Sequence, residues 1–135
     1  MNNEDLKKKA YSAVSSQWWK RGYVTSVDVL LDMGILTRKN YNDWKNGRIP
    51  YLEKACSGSL NKLALISKVI RSFACEKKLK PSFTYYKQNG KGGKQLRFSR
   101  SGDPGIERHY ATHYVDSKRI AELKKQKEQE KSTSE

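Results

Sequence analysis

The sequence predicts a mainly helical α+β domain with one β-hairpin, and three observations carry that reading. Apolar residues recur at spacings of three and four from Leu6 to Leu79, the signature of helices that bury one face. Residues 82–99 break that period and set aromatic arms, Phe83-Thr84-Tyr85-Tyr86 and Leu96-Arg97-Phe98, around a Gly90-Lys91-Gly92-Gly93-Lys94 tip. At 135 residues the chain has room for one core and not comfortably for two.

The elements follow in order. Glu4 to Lys20 places Leu6, Ala10, Ala13, Val14 and Trp18 on one helical face; Asn2 or Asn3 suits its cap and Gly22 its end. Tyr23-Val24-Thr25 reads as a short extended piece. Ser26 is expected to cap a second helix that turns Val27, Leu30 and Leu31 inward and stops at Gly34. Thr37 caps a third, Arg38 to Asn46, which Gly47 closes. Pro50 opens a short helix through Cys56, and Ser57-Gly58-Ser59 separates it from the longest apolar segment. There Leu60, Leu63, Ala64, Ile66, Ile70, Phe73 and Ala74 predict the central core helix. Lys80-Pro81 ends it, the hairpin over about 82–99 follows, and Ser101-Gly102-Asp103-Pro104-Gly105 is a loop. Ile106 to Val115 suits a helix through Ile106, Tyr110 and His113, or a strand through Tyr110, Thr112 and Tyr114. The compact domain is thus expected to span 1–115. Residues 116–135 hold six basic and five acidic residues with little apolar beyond Ile120, Ala121 and Leu123, which predicts a solvated, dispensable helix fraying into a disordered end.

Charge turns this outline toward function. Lysine and arginine number 28 against 14 acids, a formal +14, and half of that excess sits between Glu76 and Arg100. Two short helices with a tight turn between them, Ser26 to Asn46, have helix-turn-helix spacing, and a basic hairpin after the helices makes the outline winged-helix-like. Lysines meet phosphates and ring faces meet bases, so the expected partner is nucleic acid, DNA ahead of structured RNA, bound without catalysis. Lys87, Lys91, Lys94, Arg97 and Arg100 are the candidates for backbone contact, Tyr85 and Tyr86 for stacking, and Arg38, Asn42 and Lys45 for base contact. Arg48 suits either a phosphate or an ion pair with Asp43 or Glu53. Trp18 belongs on the core face; Trp19 lies to one side, where it covers an edge or stacks on a base. The alternative is an adaptor or inhibitor that docks a basic face on an acidic protein. Exposed aromatics in a cationic groove favour the first reading, and an apolar centre with a charged rim favours the second.

Other classes find less support. No long apolar run or lipidation signal points to a membrane, and without a secretory signal the expected compartment is the cytoplasm. Cys56 and Cys75 then read as buried thiols on helical segments. The glycine-rich tip lacks Walker spacing, and no cofactor is implied. His109 and His113 would share a helical face at metal-ligand spacing, but the cysteines lack the close pairing of a zinc site. The simpler reading packs His113 with Tyr110 and Tyr114 and turns His109 to solvent. Glu107 with His109 and His113 is the one cluster that suits metal-dependent or acid-base chemistry.

The densest motif is Tyr41-Asn42-Asp43-Trp44-Lys45-Asn46-Gly47-Arg48-Ile49-Pro50-Tyr51-Leu52-Glu53. With Leu79-Lys80-Pro81-Ser82, Leu96-Arg97-Phe98-Ser99, Gly102-Asp103-Pro104 and Tyr110-Ala111-Thr112-His113-Tyr114, it resembles a set of small uncharacterised bacterial proteins over residues 23–115. That resemblance implies a bacterial cytoplasmic setting and brings no activity with it.

Overall fold

In a computed structural model, residues 2–90 and 92–133 are described; Lys91 and the Ser134-Glu135 end, both part of the expectations above, lie outside them. Asn2 caps the first helix as its short polar side chain predicts, its Oδ1 accepting the Asp5 N–H at 2.8 Å. Helix α1 runs Asn3–Arg21 and ends where Gly22 adopts φ +80°, a left-handed conformation open to glycine without strain. It lays Leu6, Ala10 and Val14 against Ile66, Ile70 and Phe73 of α5 (Leu60–Glu76), the most extensive helix pair in the molecule. Between them in the chain come β1 (Tyr23–Thr25), α2 (Ser26–Asp32), α3 (Arg38–Lys45) and the single turn α4 (Leu52–Ala55). After α5 come β2 (Lys80–Phe83), α6 (Pro104–Ala111), β3 (Thr112–Val115) and α7 (Ser117–Thr133). The fold is α+β: mainly helical, with one small antiparallel sheet of order β1-β3-β2.

Several expectations change in detail. Thr25, not Ser26, caps α2, accepting the Asp28 N–H at 3.1 Å; Ser26 is buried. The undecided stretch from Ile106 is helix first and strand second. Thr112 marks the switch, its hydroxyl donating back to the Arg108 carbonyl at 2.6 Å while β-branched and aromatic residues take over. Leu60 is not core: it stands 51% exposed at the head of α5.

The hairpin expected over 82–99 is not a regular ladder. Phe83 pairs with Thr112 in the sheet, and one bridge, Lys87 to Gln95, closes a short ribbon with the Leu96 N–H on the Tyr86 carbonyl at 2.7 Å. The reason lies in the second arm, whose carbonyls serve the helices. Arg97 O accepts the Leu52 N–H at 3.2 Å and the Trp44 indole N–H at 2.9 Å, and Phe98 O accepts the Glu53 N–H at 2.9 Å. These bonds satisfy the otherwise orphaned N-terminus of α4.

The last helix is not a detached tail, so the boundary expected at 116 falls inside the folded body. Arg119 is 6% exposed; its Nε and Nη2 donate to the Trp19 carbonyl at 2.9 and 2.7 Å, and its guanidinium lies 3.6 Å from the Trp19 ring. Trp18 donates to Asp116 at 2.7 Å, and the Asp116 N–H closes on Gly22 O at 2.7 Å. Burial pushes the Asp116 carboxyl up, but these bonds from Trp18 and from the Arg119 and Lys118 backbone hold it below the usual range. A Cβ on Gly22 would stand 2.5 Å from Ile120 Cγ1, which shows how closely α7 crosses the end of α1. Beyond Leu123 the described residues of α7 to Lys131 are exposed. The cysteines are both free thiols as expected but are not both buried: Cys75 is exposed and Cys56 half-buried, where burial and then Glu53 push its thiol up to about 12. Among the described residues no helix is long and apolar enough to cross a membrane.

Candidate nucleic-acid interface

Helix α3 presents two faces because of where its one large apolar residue falls. Trp44 is fully buried, with ring centroids of Tyr41, Tyr86 and Phe98 at 6.1, 5.7 and 5.5 Å. That aromatic cluster fixes α3 against the ribbon. Arg38, Asn42 and Lys45, spaced four and three residues apart, share another face, with Arg38 and Asn42 exposed and Lys45 half-exposed. Arg38 also leans over the Tyr41 ring at 5.4 Å.

The ribbon tip is fastened to the end of that helix. Lys45 Nζ donates to Lys87 O at 2.7 Å, and the Asn89 N–H donates to Lys45 O at 2.8 Å, filling an orphaned helix carbonyl. Asn89 Nδ2 reaches Asn46 Oδ1 at 3.1 Å. Gly47, at φ +77°, leaves room for the Gln88 amide, which would lie 2.7 Å from any Cβ there. The ribbon at Lys87 and Asn89 is therefore fastened to the Lys45-Asn46 end of α3, with Asn42 about one turn and Arg38 about two turns back along the same helix.

Just past that end of α3, Arg48 makes the ion pair weighed for it, with Asp43 at 3.2 Å, yet its side chain stays 72% exposed. Such an exposed pair holds weakly and gives way readily to a phosphate. Lys87 and Lys94 are exposed and enter no ion pair among the described residues.

Three of the expected contact residues sit elsewhere. Tyr86 belongs to the core, its hydroxyl 3.1 Å from His113 Nε2 and its ionisation pushed up by burial, so it offers no ring to a base. Arg97 braces its own loop, donating to Ser99 O at 2.8 Å and to Arg100 O, with Tyr51 beneath at 5.3 Å. Arg100 lines a separate cleft with Arg71 between α5 and α6. Tyr85 is 66% exposed and offers its ring, whereas Trp19, 57% exposed, has one face covered by the Arg119 guanidinium. Phe83 and Arg108 form a further exposed aromatic-cation pair, 4.3 Å apart, that the sequence reading passed over. The alternation of Phe83, Tyr85 and Lys87 with Thr84 and Tyr86 was the signal for it.

The acid-base cluster does not assemble. Glu107 accepts the Phe98 N–H at 2.9 Å, the Ser99 N–H at 2.6 Å and the Ser99 hydroxyl, so its carboxylate caps a loop. His109 is on α6 and His113 on β3, not on one helix. His109 is not turned to solvent: it lies 3.3 Å from Tyr114 Oη and 3.5 Å from Ser26 Oγ, and burial, then Arg71, lower it to about 4. Among the described residues no three His, Cys, Asp or Glu gather where they could hold a metal ion. Compared with protein-family models, curated proteins and solved structures, the chain finds no match.

Proposed function

We propose that the protein binds nucleic acid, duplex DNA ahead of structured RNA, through the edge formed by α3 and the ribbon, and that it works by binding rather than by chemistry. The observation that carries this reading is the fastening of Lys87 to Lys45. It holds the ribbon backbone against the end of α3, so that the exposed Lys87 side chain extends from a ribbon anchored to the helix carrying Arg38 and Asn42, groups that phosphates and base edges recognise. The winged-helix comparison draws support from the order of elements. A short strand lies between the first two helices, α3 follows, and the basic excursion leaves β2 and returns to the adjacent β3. It departs from that plan in placing α4 and α5 before β2 and α6 before β3.

Titrating wild-type protein with duplex DNA, single-stranded DNA and RNA across a salt series tests the proposal. Each lysine that neutralises a duplex phosphate contributes about 0.9 to the slope of log affinity against log salt. Lys87→Ala with Lys94→Ala should therefore flatten that slope by about 1.8 and weaken all sequences alike. Arg38→Ala or Asn42→Ala should change preference among sequences. No binding to any of the three at low salt defeats the reading.

A second reading, an acidic protein partner, is favoured by the groove between α1 and α5. Tyr11, Leu65, Val69 and Phe73 form an apolar centre of about 720 Å3 there, with Lys7, Lys8 and Lys68 on the rim. It becomes the leading account if nucleic acid fails to bind and Lys7→Glu with Lys68→Glu abolishes binding of an acidic amphipathic peptide.

A further inference from the structure

The first arm of the ribbon carries a row of outward side chains of which the cationic edge uses only Lys87. Phe83, Tyr85 and Lys87 are exposed, while Thr84, Tyr86 and Gln88 turn inward between the end of β2 and the bridge at Lys87. Phe83 is 47% exposed and Tyr85 66%, a large apolar area to leave in water beside a packed core. Both rings line a cleft of about 360 Å3 with Gln95, Phe98, Arg108, Ala111 and Glu107, whose carboxylate is occupied by the Phe98 and Ser99 N–H groups. Arg108 places its guanidinium 4.3 Å from the Phe83 ring centre.

The spacing is informative. An extended arm advances about 3.3 Å per residue, so side chains two apart leave the backbone about 6.6 Å apart. That is close to twice the roughly 3.4 Å rise between stacked bases, the gap that one flat ring fills. Gln95 contributes a side-chain amide, with both a donor and an acceptor for the edge of such a ring. A paired base shows a groove only its edge, so a cleft with aromatic walls is reached by a base that has left its stack. Lys87, next in the same row, stands where the adjoining phosphate would pass.

We propose that the cleft between Phe83 and Tyr85 takes one unpaired nucleobase, so that the ligand is a nucleic acid with a single-stranded segment beside the part held by α3 and the ribbon. It rests on the nucleic-acid reading and narrows it to junctions, overhangs or looped-out bases. Stacking on aromatic and cationic faces tolerates all four bases, so the site selects strandedness and not sequence.

The test compares the full chain on a blunt DNA duplex, on the same duplex with a short overhang containing 2-aminopurine, and on the matching RNA. The overhang should bind roughly 5- to 150-fold more tightly than the blunt end, the span one stacked base confers, and 2-aminopurine fluorescence should be quenched. Tyr85→Ala should bring that ratio close to one, and Tyr85→Phe should keep it. Because Tyr85 is exposed and lies outside the sheet, the two variants share the fold. Equal affinity of wild type for blunt and overhang duplexes overturns this inference alone, as does a preference that survives Tyr85→Ala. Absence of binding to every ligand overturns it together with the nucleic-acid reading.

Discussion

Replacing Glu107 separates a structural carboxylate from a catalytic one. Its oxygens accept two backbone N–H groups, of Phe98 and Ser99, and the hydroxyl of Ser99, a residue only 1% exposed. Glu107→Ala leaves those donors without their carboxylate in a part-buried position that water reaches only from the cleft Glu107 lines. At about 1–3 kcal/mol for each buried donor left unmatched, with water recovering the outermost, the loss is about 3–5 kcal/mol. Glu107→Gln keeps the shape and one acceptor but turns an NH2 group toward the remaining donors, for about 2 kcal/mol. Urea unfolding followed by tryptophan fluorescence reads this directly, because the Trp44 indole N–H is bonded to Arg97 O in the same segment. With a slope of about 1.5 kcal/mol per M, the midpoint should fall by roughly 2–3 M for alanine and about 1.3 M for glutamine. A Glu107→Ala midpoint within about 0.5 M of wild type refutes the loop-capping role.

Two further outcomes follow from groups buried against expectation. Between pH 6.5 and about 4, unfolded chains carry a proton on His109 that the folded protein refuses, so stability rises with pH through that window and the deficit is complete below it. At about 1.4 kcal/mol per pH unit the deficit reaches about 3 kcal/mol. His113, also lowered chiefly by burial, acts in the same direction. Urea midpoints from pH 4 to 7.5 should show this rise and His109→Asn should flatten it; an unchanged pH profile in the variant contradicts the assignment. Truncation divides α7 in two. Ending the chain at Asp116 removes the Arg119 clamp on Trp19 and should cost about 3 kcal/mol, roughly 10 °C in melting temperature, whereas ending it at Lys127 removes a segment whose described residues, 128–131, are exposed and should cost under about 1 kcal/mol. Equal melting temperatures for the two truncations would show that the clamp contributes nothing.

Helical periodicity and capping chemistry were legible because they are local. Leu63, Ile66, Ile70 and Phe73 on one face, Thr37 as a cap and Gly22 as a stop all stand where spacing and side-chain chemistry put them. The sheet was not legible, since β1, β2 and β3 are three or four residues long and find each other across most of the chain. Their pairing depends on tertiary context more than on propensity. The site divides along the same line. Exposure of Tyr85 and Lys87 follows from the alternation of the first arm, but the inward turn of Tyr86 depends on Trp44 and Phe98 lying beneath it. Arg119 was read as solvated because a cation in the first turn of a charged helix gives no local sign that a distant tryptophan carbonyl awaits it.

The middle strand of the sheet is also the last to be synthesised. β1 is complete at residue 25 and β2 at 83, yet each pairs only with β3, at 112–115. At ribosomal rates of about 5–20 residues per second, the first strand waits roughly 5–18 s for its partner, and for part of that time two strand edges stand open on the nascent chain. The α1–α5 pair precedes β3 in the chain, so helix packing can be settled before the sheet exists. Folding then closes by inserting one four-residue strand between two neighbours already in place, after which the Asp116 N–H reaches Gly22 O and locks the insertion. Chains interrupted before Thr112 hold both edges unpaired, and those edges are templates for pairing between molecules.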